Sequence, residues 1–154
     1  MEQTLSVKLI EKSKATAFQQ AVSEVLIDNK PTGITIKGQV LEASVKVDND
    51  RYILFTTDDV IFEEFLTVTL ISLSQGIVES LQVGNEYSSG SFEVLSVNHK
   101  TIELNFIGGS VWTIKVNDSP KLRIPFFSDP RGIKRSSGLK AYLKIDAKPS
   151  PSPA

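Results

Sequence analysis

Four carboxylates lie within seven consecutive positions of this sequence, at Asp58, Asp59, Glu63 and Glu64. Clustered carboxylates can bind hard cations such as Mg²⁺ or Ca²⁺. They can also act as a general acid and base, or attract a basic protein surface. Residues 58–64, here called the acidic segment, are therefore the first place to look for chemistry in this chain.

Two structural interpretations of the acidic segment compete with the functional ones. Charges at the end of a strand prevent sheets from pairing edge to edge, and the carboxylates can also pair with cationic residues elsewhere in the chain. A docking surface for a basic partner and a carboxylate metal site both remain open. General acid–base chemistry is the weakest hypothesis, because the neighbouring sequence indicates no substrate pocket.

Other familiar catalytic patterns are missing from the sequence. The chain has no cysteine, which removes thiolate nucleophiles, disulfides and zinc–thiolate sites. His99 is the single histidine and lies in a predicted turn, which does not suit a catalytic base. Ser137 and Lys140 have the spacing of a serine–lysine pair, but a glycine follows the serine and a strand pattern begins there. We therefore predict a non-enzymatic protein with no catalytic residue, metal or cofactor.

Charge is distributed unevenly along the 154 residues. Residues 1–120 carry 9 Lys/Arg and 16 Asp/Glu, whereas residues 121–154 carry 8 Lys/Arg and 2 Asp/Glu. The basic end either neutralises an acidic body or forms a surface for an anionic partner. An overall basic excess with interleaved aromatic residues, typical of nucleic-acid-binding domains, is missing, so we expect no nucleic-acid partner.

One segment has helical periodicity, and the remainder has the periodicity of strands. Apolar residues recur at the spacing of one buried helical face, namely Phe18, Ala21, Val22, Val25 and Leu26. With Thr16 as cap and Asn29 and Pro31 at the end, this pattern predicts a helix at about residues 16–28. Elsewhere, apolar residues alternate between short turns such as 48–50. We predict a mainly β fold (α+β at most): an antiparallel sandwich or partly open barrel of roughly eight to ten strands with one N-terminal helix.

The length and composition favour one β-rich domain at residues 1–147, followed by a flexible Pro/Ser tail at 148–154. No run approaches the roughly 18 apolar residues of a membrane span, so no membrane association is expected. Residues 1–10 do not resemble a secretory signal. We therefore expect a cytoplasmic location.

Several short motifs together resemble a set of small uncharacterised bacterial β-rich proteins. The motifs cover residues 51–116: the run 52–59 (YILFTTDD), residues 62–64 (FEE), residues 87–90 (YSSG), residues 106–108 (FIG) and Trp112. The resemblance implies a bacterial origin and a β-rich fold, and it brings no known activity with it.

These observations favour a protein-binding module, of the immunity, inhibitor or accessory type, that uses Asp58, Asp59, Glu63 and Glu64 to contact a basic protein partner. Two alternatives remain: a β-barrel that binds a small apolar molecule, and a hydrolase that uses the carboxylates with a metal ion. The sequence does not specify the oligomeric state.

Overall fold

In a computed structural model, the chain is described at residues 1–58, 65–84, 92–106, 109–123, 129–136 and 139–149. These residues form thirteen strands in three antiparallel sheets. The strands are β1 (Glu2–Gln3), β2 (Val7–Ser13), β3 (Val22–Ile27), β4 (Lys30–Lys37), β5 (Val40–Lys46), β6 (Arg51–Thr57), β7 (Leu66–Ser72), β8 (Gly76–Val83), β9 (Glu93–Val97), β10 (Thr101–Asn105), β11 (Val111–Leu122), β12 (Ile133–Arg135) and β13 (Lys140–Lys148). The mainly β prediction is confirmed.

A six-stranded sheet, in the order β1-β5-β6-β7-β8-β12, forms the middle layer. One face packs against a four-stranded sheet, β13-β11-β10-β9, through a large apolar core that includes Phe55 and Trp112. The other face packs against a three-stranded sheet, β2-β3-β4, through a smaller core that includes Val25 and Leu54. The sheets are layered as in a sandwich and do not close into a barrel.

Strands β6 and β7 are central because both of their faces are covered. Side chains of a strand point alternately to opposite faces, so Ile53 and Phe55 contact the four-stranded sheet while Tyr52 and Leu54 contact the three-stranded sheet. A strand buried on both faces reads as a nearly continuous apolar run, and β6 (RYILFTT) has this composition.

The prediction of a helix at residues 16–28 is wrong, since Val22–Ile27 form β3, between β2 and β4. Ser23 and Val25 are fully buried, so burial follows the period of two that is typical of a strand. The Ser23 hydroxyl donates to the Gly38 carbonyl at 2.7 Å. Asp28 and Asn29 both have positive φ, 51° and 63°. Such a pair forms a tight two-residue hairpin turn, so it joins β3 to β4 and does not end a helix.

The chain crosses from the three-stranded to the six-stranded sheet at Gly38, which has φ of 120°. The Gly38 N–H donates to the Ala21 carbonyl at 2.8 Å and the Gln39 N–H donates to the Thr57 carbonyl at 3.0 Å, so the crossing is bonded to both sheets. A register shift lies between Leu41 and Ala43, which marks an irregularity such as a β-bulge soon after the crossing.

The expected range of eight to ten strands was too low, because short edge strands such as β1 and β12 have little sequence signal. Lys148 belongs to β13, and the Pro149 carbonyl accepts a hydrogen bond from the Ser110 hydroxyl at 2.7 Å. The remainder of the predicted tail lies outside the described residues. Within the described ranges, no helix has the length and apolar character needed to cross a membrane.

Candidate functional site

Asp58 is the one carboxylate of the acidic segment that the structure describes, and it immediately follows β6. Its side chain is half-buried, and its Oδ2 accepts a hydrogen bond from the Gln20 amide nitrogen at 3.1 Å. Asp59, Glu63 and Glu64 lie outside the described residues. The four predicted partner-binding residues are therefore located as a group only by their position in the sequence, between β6 and β7.

The Gln20 side chain connects Asp58 to the six-stranded sheet. Its amide nitrogen also lies 3.2 Å from the Thr67 hydroxyl oxygen on β7, and its amide oxygen accepts a hydrogen bond of 2.7 Å from the Gln82 side chain on β8. Because one amide contacts three separate elements, residue 20 is fixed in place and the segment before it is held close to Asp58.

The segment before Gln20 is a tight turn that presents Phe18 to solvent. The Thr16 hydroxyl oxygen accepts hydrogen bonds from the N–H groups of Phe18 and Gln19, at 3.2 and 3.1 Å. The Thr16 N–H donates to the Gln19 carbonyl at 2.8 Å. Phe18 is nonetheless 95% exposed. An aromatic side chain on a hydrogen-bonded turn is therefore fully accessible to a partner.

An open groove of about 370 Å³ separates this turn from the end of the six-stranded sheet. We call it the Phe18 groove, and its lining residues are Ala15, Thr16, Ala17, Phe18, Gln19, Gln20, Asp58, Phe65, Gln82 and Lys134. The Lys134 ammonium lies 5.8 Å from the centre of the Phe65 ring, within the range of a cation–π contact. The groove thus combines two aromatic rings with one carboxylate and one ammonium group.

The Asp58 carboxylate is only partly satisfied. Its Oδ1 atom is buried and accepts no hydrogen bond, and Asp58 forms no ion pair with any residue in the described ranges. An anionic group without a cationic partner favours the approach of a positive charge. The groove can therefore accommodate an apolar side chain beside a basic one.

The described residues contain no group of three or more histidine, cysteine, aspartate or glutamate side chains that could hold a metal ion. His99 lies in the exposed turn between β9 and β10. Lys140 begins β13, and Ser137 falls outside the described ranges.

Sequence reasoning identified Asp58 but missed the residues around it. Phe18 was assigned to the buried face of a helix, and Gln20, Phe65 and Lys134 were not singled out. The sequence separation explains part of this result, because Gln20 lies 38 positions before Asp58. One signal in the sequence could have found them, because the pair Asp28–Asn29 is typical of a hairpin turn. A hairpin turn at this position implies a strand before it, and Phe18 is then no longer expected on the buried face of a helix.

Part of the basic C-terminal region does neutralise a carboxylate of the acidic body, but at Glu79 on β8. Arg135 on β12 donates from Nη1 to Glu79 Oε2 at 3.2 Å, with only 6% and 12% of the two side chains exposed. The Glu79 carboxylate also accepts the N–H groups of Tyr142 and Leu143 on β13, at 2.8 and 3.0 Å. This contact joins the middle sheet to the four-stranded sheet.

Comparison of the chain with protein-family models, with curated proteins and with solved structures gave no significant match. The resemblance of residues 51–116 to small bacterial β-rich proteins therefore stays a prediction.

Proposed function

We propose that this chain is a non-enzymatic protein-binding module, of the immunity, inhibitor or accessory type, whose Phe18 groove docks a basic segment of a partner protein. The observation that carries the proposal is Phe18, a large aromatic side chain that is 95% exposed on a turn fixed by Thr16 and Gln20. A preorganised, exposed aromatic residue in the same groove as the Asp58 carboxylate is typical of a recognition surface.

The apolar part of the contact supplies affinity. Complete burial of a phenylalanine side chain contributes about 1.5–3 kcal/mol, and aromatic residues dominate the energetics of many interfaces. The hydrogen bonds of Thr16 and Gln20 hold the turn before any partner arrives. Less conformational entropy is then lost on binding, which leaves more of the burial free energy for affinity.

The charged part of the contact selects the partner. Asp58 lines the Phe18 groove, and Asp59, Glu63 and Glu64 follow it within six positions of the sequence. Clustered carboxylates accelerate association with a basic surface and make it sensitive to salt. The expected partner segment therefore carries lysine or arginine next to an apolar side chain that contacts Phe18.

The test compares partner capture by the full chain and by two variants with matched changes. Phe18→Ala removes the proposed anchor, whereas Leu5→Ala removes a side chain that is equally exposed, at 98%, beyond the other end of β3. Both variants should unfold at the temperature of the original chain, because neither residue is buried. We expect the affinity for a captured host protein to fall by about tenfold or more with Phe18→Ala and to stay unchanged with Leu5→Ala.

A third variant tests the charge. Replacing Asp58, Asp59, Glu63 and Glu64 together by their amides should slow association and remove most of its salt dependence. If Phe18→Ala binds the captured protein as tightly as the original chain does, the groove is not the docking site. If the amide variant alone binds normally, the partner is held by apolar contact and the acidic part of the proposal is wrong.

A further inference from the structure

A second pocket, distinct from the Phe18 groove, lies beside β11 and β13. Its volume is about 390 Å³. The charged side chains that line it are five cations and one carboxylate: Lys115, Lys121, Arg123, Arg135, Lys144 and Asp129. Four of the five cations belong to the basic region at residues 121–154. The pocket therefore carries a net positive charge unless other carboxylates of the protein neutralise it.

The lining carboxylate is already used by Arg135. Arg135 binds Asp129 with two hydrogen bonds, from Nε to Oδ2 at 2.8 Å and from Nη2 to Oδ1 at 2.9 Å. The remaining Arg135 contacts are to Glu79 and to the Leu143 carbonyl. Asp129 is therefore bound chiefly by Arg135 and makes only a longer contact, 3.7 Å, with Arg123. Neutralisation of the other four cations depends mainly on other groups.

Two of those four cations face each other across the strands. Lys115 on β11 and Lys144 on β13 are register partners, and both are exposed. Like charges directly opposite each other on neighbouring strands are destabilising. Neither lysine, nor Lys121, forms an ion pair within the described part of the chain. An anion beside them would relieve the repulsion.

Arg123 supplies a second and independent indication. Only 15% of its side chain is exposed, and its Nη1 lies 3.7 Å from Asp129 Oδ2, an oxygen that Arg135 already binds at 2.8 Å. Its Nε atom is buried and has no acceptor among the described residues. A buried donor on a charged group costs free energy when it is left unpaired, and an anion in the pocket would supply the acceptor.

We propose that this pocket binds a small oxyanion, a phosphate or carboxylate group carried by a small molecule, between Arg123 and the lysines at 115, 121 and 144. Arginine recognises the planar or tetrahedral oxyanion through directed N–H groups, and lysines add charge without fixed geometry. The volume is in the range of small-molecule sites, so the pocket accommodates more than a bare ion.

The experiment is calorimetric titration of the full chain with inorganic phosphate and, separately, with citrate, each at an ionic strength matched with sodium chloride. Two pocket variants are compared with the original chain: the double variant Lys115→Gln/Lys144→Gln, and Arg123→Lys, which keeps the charge but loses the Nε donor. Lys8→Gln is the control, because Lys8 is an exposed lysine on β2 of the three-stranded sheet. Thermal unfolding of every variant, with and without the anions, is followed in parallel.

We expect saturable binding of phosphate, citrate or both, with an affinity that falls by about tenfold in each pocket variant and stays unchanged in Lys8→Gln. The anion that binds more tightly identifies the chemical source of the oxyanion. Bound anion should also raise the unfolding temperature of the original chain, and less so in the pocket variants. The proposal is overturned if neither anion binds beyond the chloride control, or if the pocket variants bind as tightly as Lys8→Gln.

Discussion

The two faces of the six-stranded sheet differ in chemistry. The face toward the four-stranded sheet carries mainly apolar side chains from its central strands, among them Ile53, Phe55 and Val68. The face toward the three-stranded sheet mixes Tyr52 and Leu54 with the buried threonines 56, 67 and 69. One sheet thus supports an apolar interface and a partly polar one.

The difference indicates a division of roles between the two interfaces. Apolar burial is non-directional and proportional to area, so the first interface contributes most to stability. The polar groups of the second interface form hydrogen bonds, which are directional. The Thr56 hydroxyl donates to the Lys37 carbonyl at 2.8 Å, and the Gln20 amide nitrogen donates to the Thr67 hydroxyl oxygen at 3.2 Å. The Phe18 groove lies at the end of this mixed interface, where directed contacts hold a polar loop in place.

The largest expected effect is on the apolar interface. Trp112 is completely buried, so Trp112→Ala should lower the free energy of unfolding by about 3–5 kcal/mol. Trp112→Phe should cost much less, because it keeps an aromatic ring and removes an indole N–H that has no acceptor within the described ranges. Urea unfolding of both variants measures the difference. Equal losses would mean that the indole group, and not the buried area, determines the stability of this interface.

The next effect concerns the crossing between the two sheets at the mixed interface. A Cβ atom on Gly38 would lie 2.2 Å from Thr56 Oγ1 and 2.4 Å from Thr56 Cβ, in a backbone with φ of 120°. Gly38→Ala combines this overlap with backbone strain and should cost about 3 kcal/mol.

Gly76→Ala is the matched control for Gly38→Ala. Gly76 also has positive φ, 92°, but an added Cβ would have no atom within 4 Å, so only strain of about 1–2 kcal/mol is expected. Denaturant midpoints of the two variants separate overlap from strain. If both substitutions cost the same, the close approach of Gly38 to Thr56 does not limit the packing of the mixed interface.

The apolar interface was easier to predict from the sequence than the mixed one. Continuous apolar and β-branched residues are typical of strands, and β6 at residues 51–57 has this composition. The β3 strand was mistaken for a helix, because its buried side has a serine at position 23 where alternation requires an apolar residue. The hydroxyl is satisfied by the Gly38 carbonyl, a contact between positions 15 apart that local periodicity does not contain.

The candidate site shows the same limit. The acidic segment was found because four carboxylates are adjacent in sequence, which is a local signal. The Gln20 network unites residues 20, 58, 67 and 82, and only the pairing of the strands brings them together. Residues that bind through long-range contacts therefore remain unpredictable until the sheet order is known.

A smaller effect tests how the mixed interface tolerates its hydroxyl groups. Thr69 is 2% exposed, and its Oγ1 has no hydrogen-bond partner in the described part of the chain. Thr69→Val keeps the shape and removes an unpaired polar atom, so the free energy of unfolding should stay the same or rise by up to about 1 kcal/mol. Ser23→Ala, by contrast, breaks the 2.7 Å bond to the Gly38 carbonyl and should cost about 1–2 kcal/mol.

Thermal and urea unfolding of these two variants compare a satisfied with an unsatisfied hydroxyl in one interface. A clear loss of stability in Thr69→Val would show that its hydroxyl is paired in solution. The Thr69 hydroxyl would then be satisfied in the same way as the Ser23 and Thr56 hydroxyls of the mixed interface.

The smallest effect compares the two ends of β6, where Asp58 is partly satisfied and Asp50 is fully engaged. The Ser72 hydroxyl donates to Asp50, as do the N–H and hydroxyl of Ser74, and together they outweigh burial and lower the pKa of Asp50 below its ordinary 3.8. Because the folded-state pKa is the lower one, this contribution to stability is complete above about pH 3.8 and is lost as the pH falls through the folded-state pKa. The difference in unfolding free energy between the original chain and Asp50→Asn should therefore be constant from about pH 7 to about pH 4 and shrink below that. Urea unfolding across this range measures it, and a difference that stays constant down to about pH 2 would show that the ionised Asp50 carboxylate does not stabilise this end of the strand.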